Sequence, residues 1–179
     1  MSQSFDFTEP THVLPGAMGR PGQRTFYLQA GDGPMTTSFK VEKQQVAALC
    51  EYLGGILADL PPVEGAVPGD PPTPLEPIEL AWVVGRLAVA YEEVDDRIVI
   101  VAEEVLDISE EDLERLDLDD PASLLAAGYE PATARFRLTR DQVATFISTG
   151  NLLVHAGRPQ CRLCGQPIDP EGHACPRLN

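Results

Sequence analysis

Basic residues are scarce in this 179-residue chain: 13 Lys and Arg stand against 28 Asp and Glu, for a formal charge of −15. A surface this negative repels phosphate backbones and anionic lipid, so neither general nucleic-acid binding nor membrane-surface binding is expected. Only two of the bases are lysines, Lys40 and Lys43. No apolar run approaches the roughly 18 to 20 residues of a membrane span, the nearest being the interrupted stretch Leu80 to Ala90. The opening MSQSFDFTEP has no basic flank followed by an apolar stretch, so it does not read as a targeting segment, and a cytoplasmic protein is expected. Cysteine is limited to four residues: Cys50 sits in a helical pattern and the other three crowd the tail, unlike a secreted disulfide framework. Catalytic signatures are missing as well. There is no G-x-S-x-G, no H-E-x-x-H and no His set beside a Ser or Cys nucleophile, so an enzyme is unsupported and a non-catalytic role leads.

What is present suits a folded protein. Hydrophobic residues make up 43% and charged residues 23%, and the length is enough to bury a core without disulfides. The 17 Pro and 15 Gly add substantial loop. Phe5 to Leu14 reads as extended, Pro15 to Gln23 as a loop, and Arg24 to Ala30 with Met35 to Val41 as a hairpin turning at Gly31 to Pro34. The period then changes. Val46, Leu49, Cys50, Leu53, Ile56, Leu57 and Leu60 recur at three- and four-residue steps, predicting a helix over Glu42 to Leu60 that Gly54 and Gly55 weaken by about 1 kcal/mol each. Pro61 and Pro62 end it, and Pro61 to Pro77 holds seven prolines, a linker or surface loop.

Glu79 to Tyr91 and Arg97 to Val105 form a second predicted hairpin, with Gly85 marking a bulge or a close backbone approach. Glu92 to Asp120 carries 14 of the 28 acidic residues against two arginines, hence −12 of the −15. Within it, Ser109 ahead of Glu110, Glu111 and Asp112 is an N-cap signal for a short acidic helix. This span is a solvated face or, read functionally, a docking surface for a basic partner. Thr133 to Leu138 is a last strand, and Thr139 to Ala156 a helix that Gly150-Asn151 is expected to split.

One stretch echoes another. Ser38 to Ala47 aligns without gaps on Arg135 to Ala144, with Phe, Gln, Val and Ala identical and two Lys/Arg pairs alongside. Both cross from strand to helix, so an internal duplication of a strand-strand-helix unit competes with shared local propensity. Duplication predicts Phe39 and Phe136 in equivalent cores. It also places Lys40, Lys43, Arg137 and Arg140 at matching junctions, as one basic patch or as partners of the abundant carboxylates. The organisation is then a first half over 1–60, the linker 61–77, a second half over 78–156 with an acidic insertion 106–132, and a tail 157–179.

The tail holds the strongest chemical signal: Cys161-x-x-Cys164-Gly165, then His173-x-Cys175. C-x-x-C brings two sulfurs to one side of a tight turn, and Gly165 lets the backbone turn away. His173 and Cys175 would complete a tetrahedron of three thiolates and one imidazole, a closed shell of the structural zinc kind. The rival is a redox dithiol at Cys161 and Cys164, which usually needs a helix N-terminus to lower one thiol pKa. His155 reads as a helix-end residue and His12 has no evident partner. A second candidate is the loop Gly16 to Arg24, whose backbone and two arginines, Arg20 and Arg24, can cradle an anion, although no P-loop ending or following helix is present.

Three segments together carry a family resemblance: G-x-x-G-R-P-G-Q-R-x-F-x-L-Q (Gly16 to Gln29), E-K-Q-Q-V (Glu42 to Val46), and G-R-P-x-C-x-x-C-G-x-P-x-D-P-x-G-H-x-C-P-R (Gly157 to Arg177). The chain resembles the actinobacterial domain of unknown function 3090 family over nearly its whole length. The resemblance implies a cytosolic bacterial protein, often encoded beside a histidine-phosphatase-like protein and one resembling lipid kinases, and brings no established activity.

The expected fold is α+β, mainly antiparallel β-hairpins with two principal helices and a zinc-knuckle-like tail. The leading function is a non-catalytic zinc-binding component that docks a protein partner, such as the histidine-phosphatase-like or kinase-like neighbours, through its acidic surface. The alternative is an enzyme or ligand-binding module for a phosphorylated small molecule at loop 16–24. Nucleic-acid binding by the tail, with Arg158, Arg162 and Arg177 in its favour, ranks last because Asp169, Glu171 and a three-thiolate zinc centre are negative.

Overall fold

A computed structural model describes residues 2–32, 35–62, 70, 72–117, 120–156, 161–165, 168 and 172–178. Among the described residues, seven strands and four helices follow in the order β1 (Phe5–Phe7), β2 (His12–Met18), β3 (Thr25–Asp32), β4 (Met35–Val41), α1 (Lys43–Asp59), β5 (Leu80–Glu92), β6 (Arg97–Glu104), α2 (Glu110–Arg115), α3 (Pro121–Ala126), β7 (Thr133–Leu138) and α4 (Arg140–His155). The strands form one sheet in the order β1-β7-β6-β5-β4-β3-β2. The fold class is α+β, as expected. The hairpins β2/β3, β3/β4, β5/β6 and β6/β7 are antiparallel, whereas β4/β5 and β1/β7 are parallel.

Side-chain alternation decides which face is core. Phe26, Leu28 and Ala30 of β3 point the same way as Phe39 and Val41 of β4, Ile98, Ile100 and Ala102 of β6, and Ala134, Phe136 and Leu138 of β7, and all are buried in one cluster. Helix α1 adds Val46, Leu49, Cys50 and Leu53 to it, and α4 adds Val143 and Phe146, the three- and four-residue spacing read from the sequence. Burial lifts the Cys50 thiol pKa to about 11, so this cysteine is a packing residue rather than a nucleophile.

The two echoed stretches occupy matching positions. Phe39 and Phe136 meet edge to face, with centroids 5.7 Å apart, in a shared core rather than in two separate ones. Val46 and Val143 are both buried. Gln45 and Gln142 are each the third residue of their helix and close a capping box, accepting from the backbone N–H of Glu42 (2.8 Å) and Thr139 (2.9 Å). Their amides then reach across to the strand that runs parallel: Gln45 donates to the Val84 and Gly85 carbonyls, Gln142 to the Pro10 carbonyl just past β1.

The correspondence extends to topology. In the second unit, β5 pairs parallel with β4 at its start and antiparallel with β6 along the rest. In the first unit that task is divided, β1 pairing parallel with β7 and β2 antiparallel with β3. Each unit thus lends its opening segment to the other's strand-to-helix junction, which supports the internal duplication. Between β6 and β7 the second unit carries α2, α3 and their acidic flanks, where the first unit has only the step from Asp32 to Met35.

Several expectations are corrected. Residues 15–18 are strand, not loop: the Tyr27 ring lies against Gly16, where a Cβ would come within 2.2 Å of it, and Pro15 is tolerated because β2 is an edge strand. Phe5 to Leu14 is two strands with different neighbours. Gly150 does not split α4; it is where α1 crosses, with Cys50 Sγ 2.4 Å from the position a Cβ would take. Helix α3, begun by Asp120 accepting from Ala122 N–H, was not anticipated. Gly85 is both a bulge and a close approach, since its Cβ would lie 2.9 Å from Val105 Cα. Gly33, Pro34 and residues 63–69 and 71 of the proline-rich segment lie outside the described residues.

Candidate metal centre

The tail is built on a tight turn. Cys161 to Cys164 reverses the chain, the Gly165 N–H donates to the Cys161 carbonyl at 2.8 Å, and Gly165 adopts φ +74°, a conformation costly for any residue with a Cβ. That turn aims the backbone N–H groups of Cys164 and Leu163 at the Cys161 sulfur. They favour its thiolate and lower its pKa to about 6. Arg177 donates from Nη1 to the Leu163 carbonyl at 3.0 Å, bracing the turn from the far end of the motif.

All four sequence-predicted ligands come together. The donor atoms of Cys161, Cys164, His173 and Cys175 lie within 4.8 Å of one another. Cys161 Sγ and Cys175 Sγ are 3.8 Å apart, and Cys164 Sγ is 3.8 Å from His173 Nε2. A disulfide needs about 2.05 Å. Two thiolates on one tetrahedral ion at about 2.3 Å each lie about 3.8 Å apart. The spacing therefore fits a tetrahedral metal centre, and a set of three soft sulfurs and one imidazole suits zinc-like ions better than Mg²⁺ or Ca²⁺. The segment between the two halves of the motif lies outside the described residues except for Ile168 and Gly172.

The other sequence candidates separate. His155 Nδ1 contacts the Asn151 carbonyl one turn back, at 2.7 Å, and stands outside the ligand set. His12 is buried with Nε2 2.7 Å from Gln29 Oε1. Gln29, fully buried, also donates to Ser38 Oγ and exchanges two hydrogen bonds with the backbone of Leu75, tying the end of the proline-rich segment to β3. Its place in the L-Q motif was visible in the sequence, but its role was not, because its partners come from three other segments, those of His12, Ser38 and Leu75. Arg24 donates from Nη1 to the Ala156 carbonyl at the end of α4 and lines a cavity of about 380 Å³ with Lys40 and Lys43, whereas Arg20 is not among the residues lining it. Arg137 and Arg140 do not join a common basic patch with the lysines; they are occupied by Glu92, Asp95 and Asp96.

The profile of the family described as Protein of unknown function (DUF3090) matches residues 5–175, from β1 through the last cysteine of the motif. The chain belongs to this family. No curated protein and no solved structure matches it. The family match thus includes both echoed units and the whole Cys/His set. Among the described residues no helix is long and apolar enough to cross a membrane.

Proposed function

We propose that Cys161, Cys164, His173 and Cys175 hold one zinc ion as a structural clip, and that this DUF3090 member is a non-catalytic cytoplasmic binding component that docks a protein partner. The observation that carries the first part is the convergence of four donor atoms within 4.8 Å. A closed set of three thiolates and one imidazole leaves no position for water or substrate, which favours structure over hydrolysis. Metal analysis of the purified chain should find about one zinc per chain, lost in Cys161→Ser and in Cys175→Ser. A folded wild-type protein free of metal would overturn the assignment.

Support for docking comes from the acidic insertion. Val105 and Leu125, 52% and 60% exposed, line a groove of about 460 Å³ between β6 and α3, beside Glu103, Glu104 and Glu130. Such a surface suits a partner with basic and apolar side chains, and the histidine-phosphatase-like and kinase-like neighbours are the first to test. Asp112 is a poor site for charge reversal, because it accepts from the Tyr129 hydroxyl at 2.8 Å and is needed locally. Glu111 and Glu130 are better. Reversal of both should abolish pull-down of the partner, and retained binding would remove the acidic surface from the reading. The second reading, a module for a phosphorylated small molecule, is favoured by the cavity that brings Arg24 together with Lys40 and Lys43.

A further inference from the structure

The two units place the same kind of turn over the same kind of junction and fill it differently. In the second unit the β5–β6 turn overhangs the start of α4 and supplies carboxylates. Glu92 accepts from Arg135 at 2.6 Å and from Arg137 at 2.7 Å, Asp95 accepts from Arg137, and Asp96 accepts from Arg140 at 2.7 Å. Arg137 and Arg140 are the counterparts of Lys40 and Lys43 in the echo. In the first unit the β2–β3 loop lies over the start of α1, and it carries bases where the other turn carries acids. The result is a cavity of about 380 Å³ bounded by Gly22, Arg24, Lys40, Glu42, Lys43 and Leu153.

The charges in that cavity are left unbalanced. Glu42 is the one carboxylate among the lining residues, and it is engaged in the capping box of α1. Neither lysine has an ion pair or side-chain hydrogen bond among the described residues, and Arg24 spends one nitrogen on the Ala156 carbonyl. Three cationic residues drawn from a loop, a strand and a helix start thus line one cavity, with a formal net charge of its lining residues near +2. The net charge of the chain does not cancel this, because the acidic excess lies mainly between Glu92 and Asp120 and exposed charges are screened beyond about 10 Å.

The geometry points to a binding site for a dianionic phosphoryl group in this cavity, held by Arg24, Lys40 and Lys43, with the carboxylates of the second unit as its internal counterpart. The site rests on the second reading above and narrows it: Arg20 is not a ligand, and the two lysines are. A phosphoryl group concentrates two charges and several acceptor oxygens on one centre, which matches a cavity lined by three cationic residues from three elements. Guanidinium and ammonium together provide fork-like and point-charge donors to such oxygens.

The test is calorimetric titration of the full-length zinc-loaded chain with inorganic phosphate at constant ionic strength, repeated with malonate. Saturable phosphate binding is expected, weakened about tenfold or more by Lys43→Ala and by Lys40→Ala, and unchanged by Arg20→Ala. Lys43 is exposed at the first position of α1, so its removal leaves the fold intact, and a thermal melt confirms that independently. Absence of saturable phosphate binding in wild type would sink both this site and the second reading. Phosphate binding that ignores both lysines but requires Arg20 would keep that reading and overturn this site. Tighter binding of malonate than of phosphate would overturn the phosphoryl assignment.

Discussion

The two strand-to-helix junctions share a scaffold and differ in electrostatics. At both, a Phe enters the shared core, a Gln closes a capping box and crosses to a neighbouring strand, and a Val begins the buried stripe of the helix. Around the second, Glu92, Asp95 and Asp96 neutralise Arg135, Arg137 and Arg140. Around the first, Arg24 of the neighbouring loop lines one cavity with two lysines. Packing and capping constrain what must stay alike, because a buried aromatic or an unmet backbone group has large energetic consequences. Exposed charge pairs contribute little to stability, so the same positions are free to diverge toward binding.

The comparison breaks most sharply at the aromatic pair. Phe39→Ala and Phe136→Ala should each destabilise by about 3–5 kcal/mol in urea titration, with Phe39 the larger. Phe39 also meets Trp82 at 4.5 Å and Phe5 at 5.4 Å, while Phe136 stacks on Phe7 at 5.4 Å. A double-mutant cycle should return a coupling of about 0.5–1.5 kcal/mol, and strict additivity would show that the two rings act apart.

Next comes the crossing of the two long helices. Gly150→Ala must push against Cys50 and should cost about 1–3 kcal/mol. Gly54→Ala, where a Cβ meets nothing within 4 Å, should instead stabilise by about 0.5–1 kcal/mol. Equal effects of both on the urea midpoint would remove the close approach as the reason for Gly150.

The capping glutamines should be matched. Gln45→Ala and Gln142→Ala are each expected to cost about 1–2 kcal/mol, since each loses a cap and a cross-strand bond. A large difference between them would mean that the shared geometry hides unequal roles.

The smallest effect distinguishes the acidic turn from the basic loop by pH. The Arg137 guanidinium beside Glu92, and the Tyr91 hydroxyl and Arg140 beside Asp96, hold these carboxyls below their ordinary range. The unfolded chain therefore takes up these protons at higher pH than the folded one does. Their contribution is present above about pH 4 and is lost as pH falls through the folded-state values. Glu92→Gln should flatten the loss of melting temperature between pH 7 and pH 3, and an unchanged profile would show that the pairs around Glu92 add nothing to stability.

Much of this was legible in the chain. Periodicity placed both long helices within a residue or two of their ends, because a stripe such as Val46, Leu49, Cys50 and Leu53 leaves only one face to bury. The tail was legible because C-x-x-C-G and H-x-C are local: a turn is enough to bring their donors together. Residues that depend on distant neighbours were not. Pro15 and Gly16 read as loop until Tyr27 supplies the reason for a strand, and Gly150 read as a helix break until Cys50 of the other helix is beside it. Of the two arginines in loop 16–24, only Arg24 lines a cavity with Lys40 and Lys43, a juxtaposition that sequence neighbourhood does not reveal.

By itself, the sequence determined most of the element types, the Cys/His set of the tail and the echo between Ser38 and Arg135, all of which are written in spacing over a few turns of chain. Only the tertiary structure decided that each unit's opening strand pairs with the other unit. It also decided that Phe39 and Phe136 meet, and that one junction is filled by carboxylates while the other borders a cavity lined by Arg24, Lys40 and Lys43. Those are contacts between segments dozens of residues apart, and no local pattern encodes which partner a strand edge or a charged side chain will find.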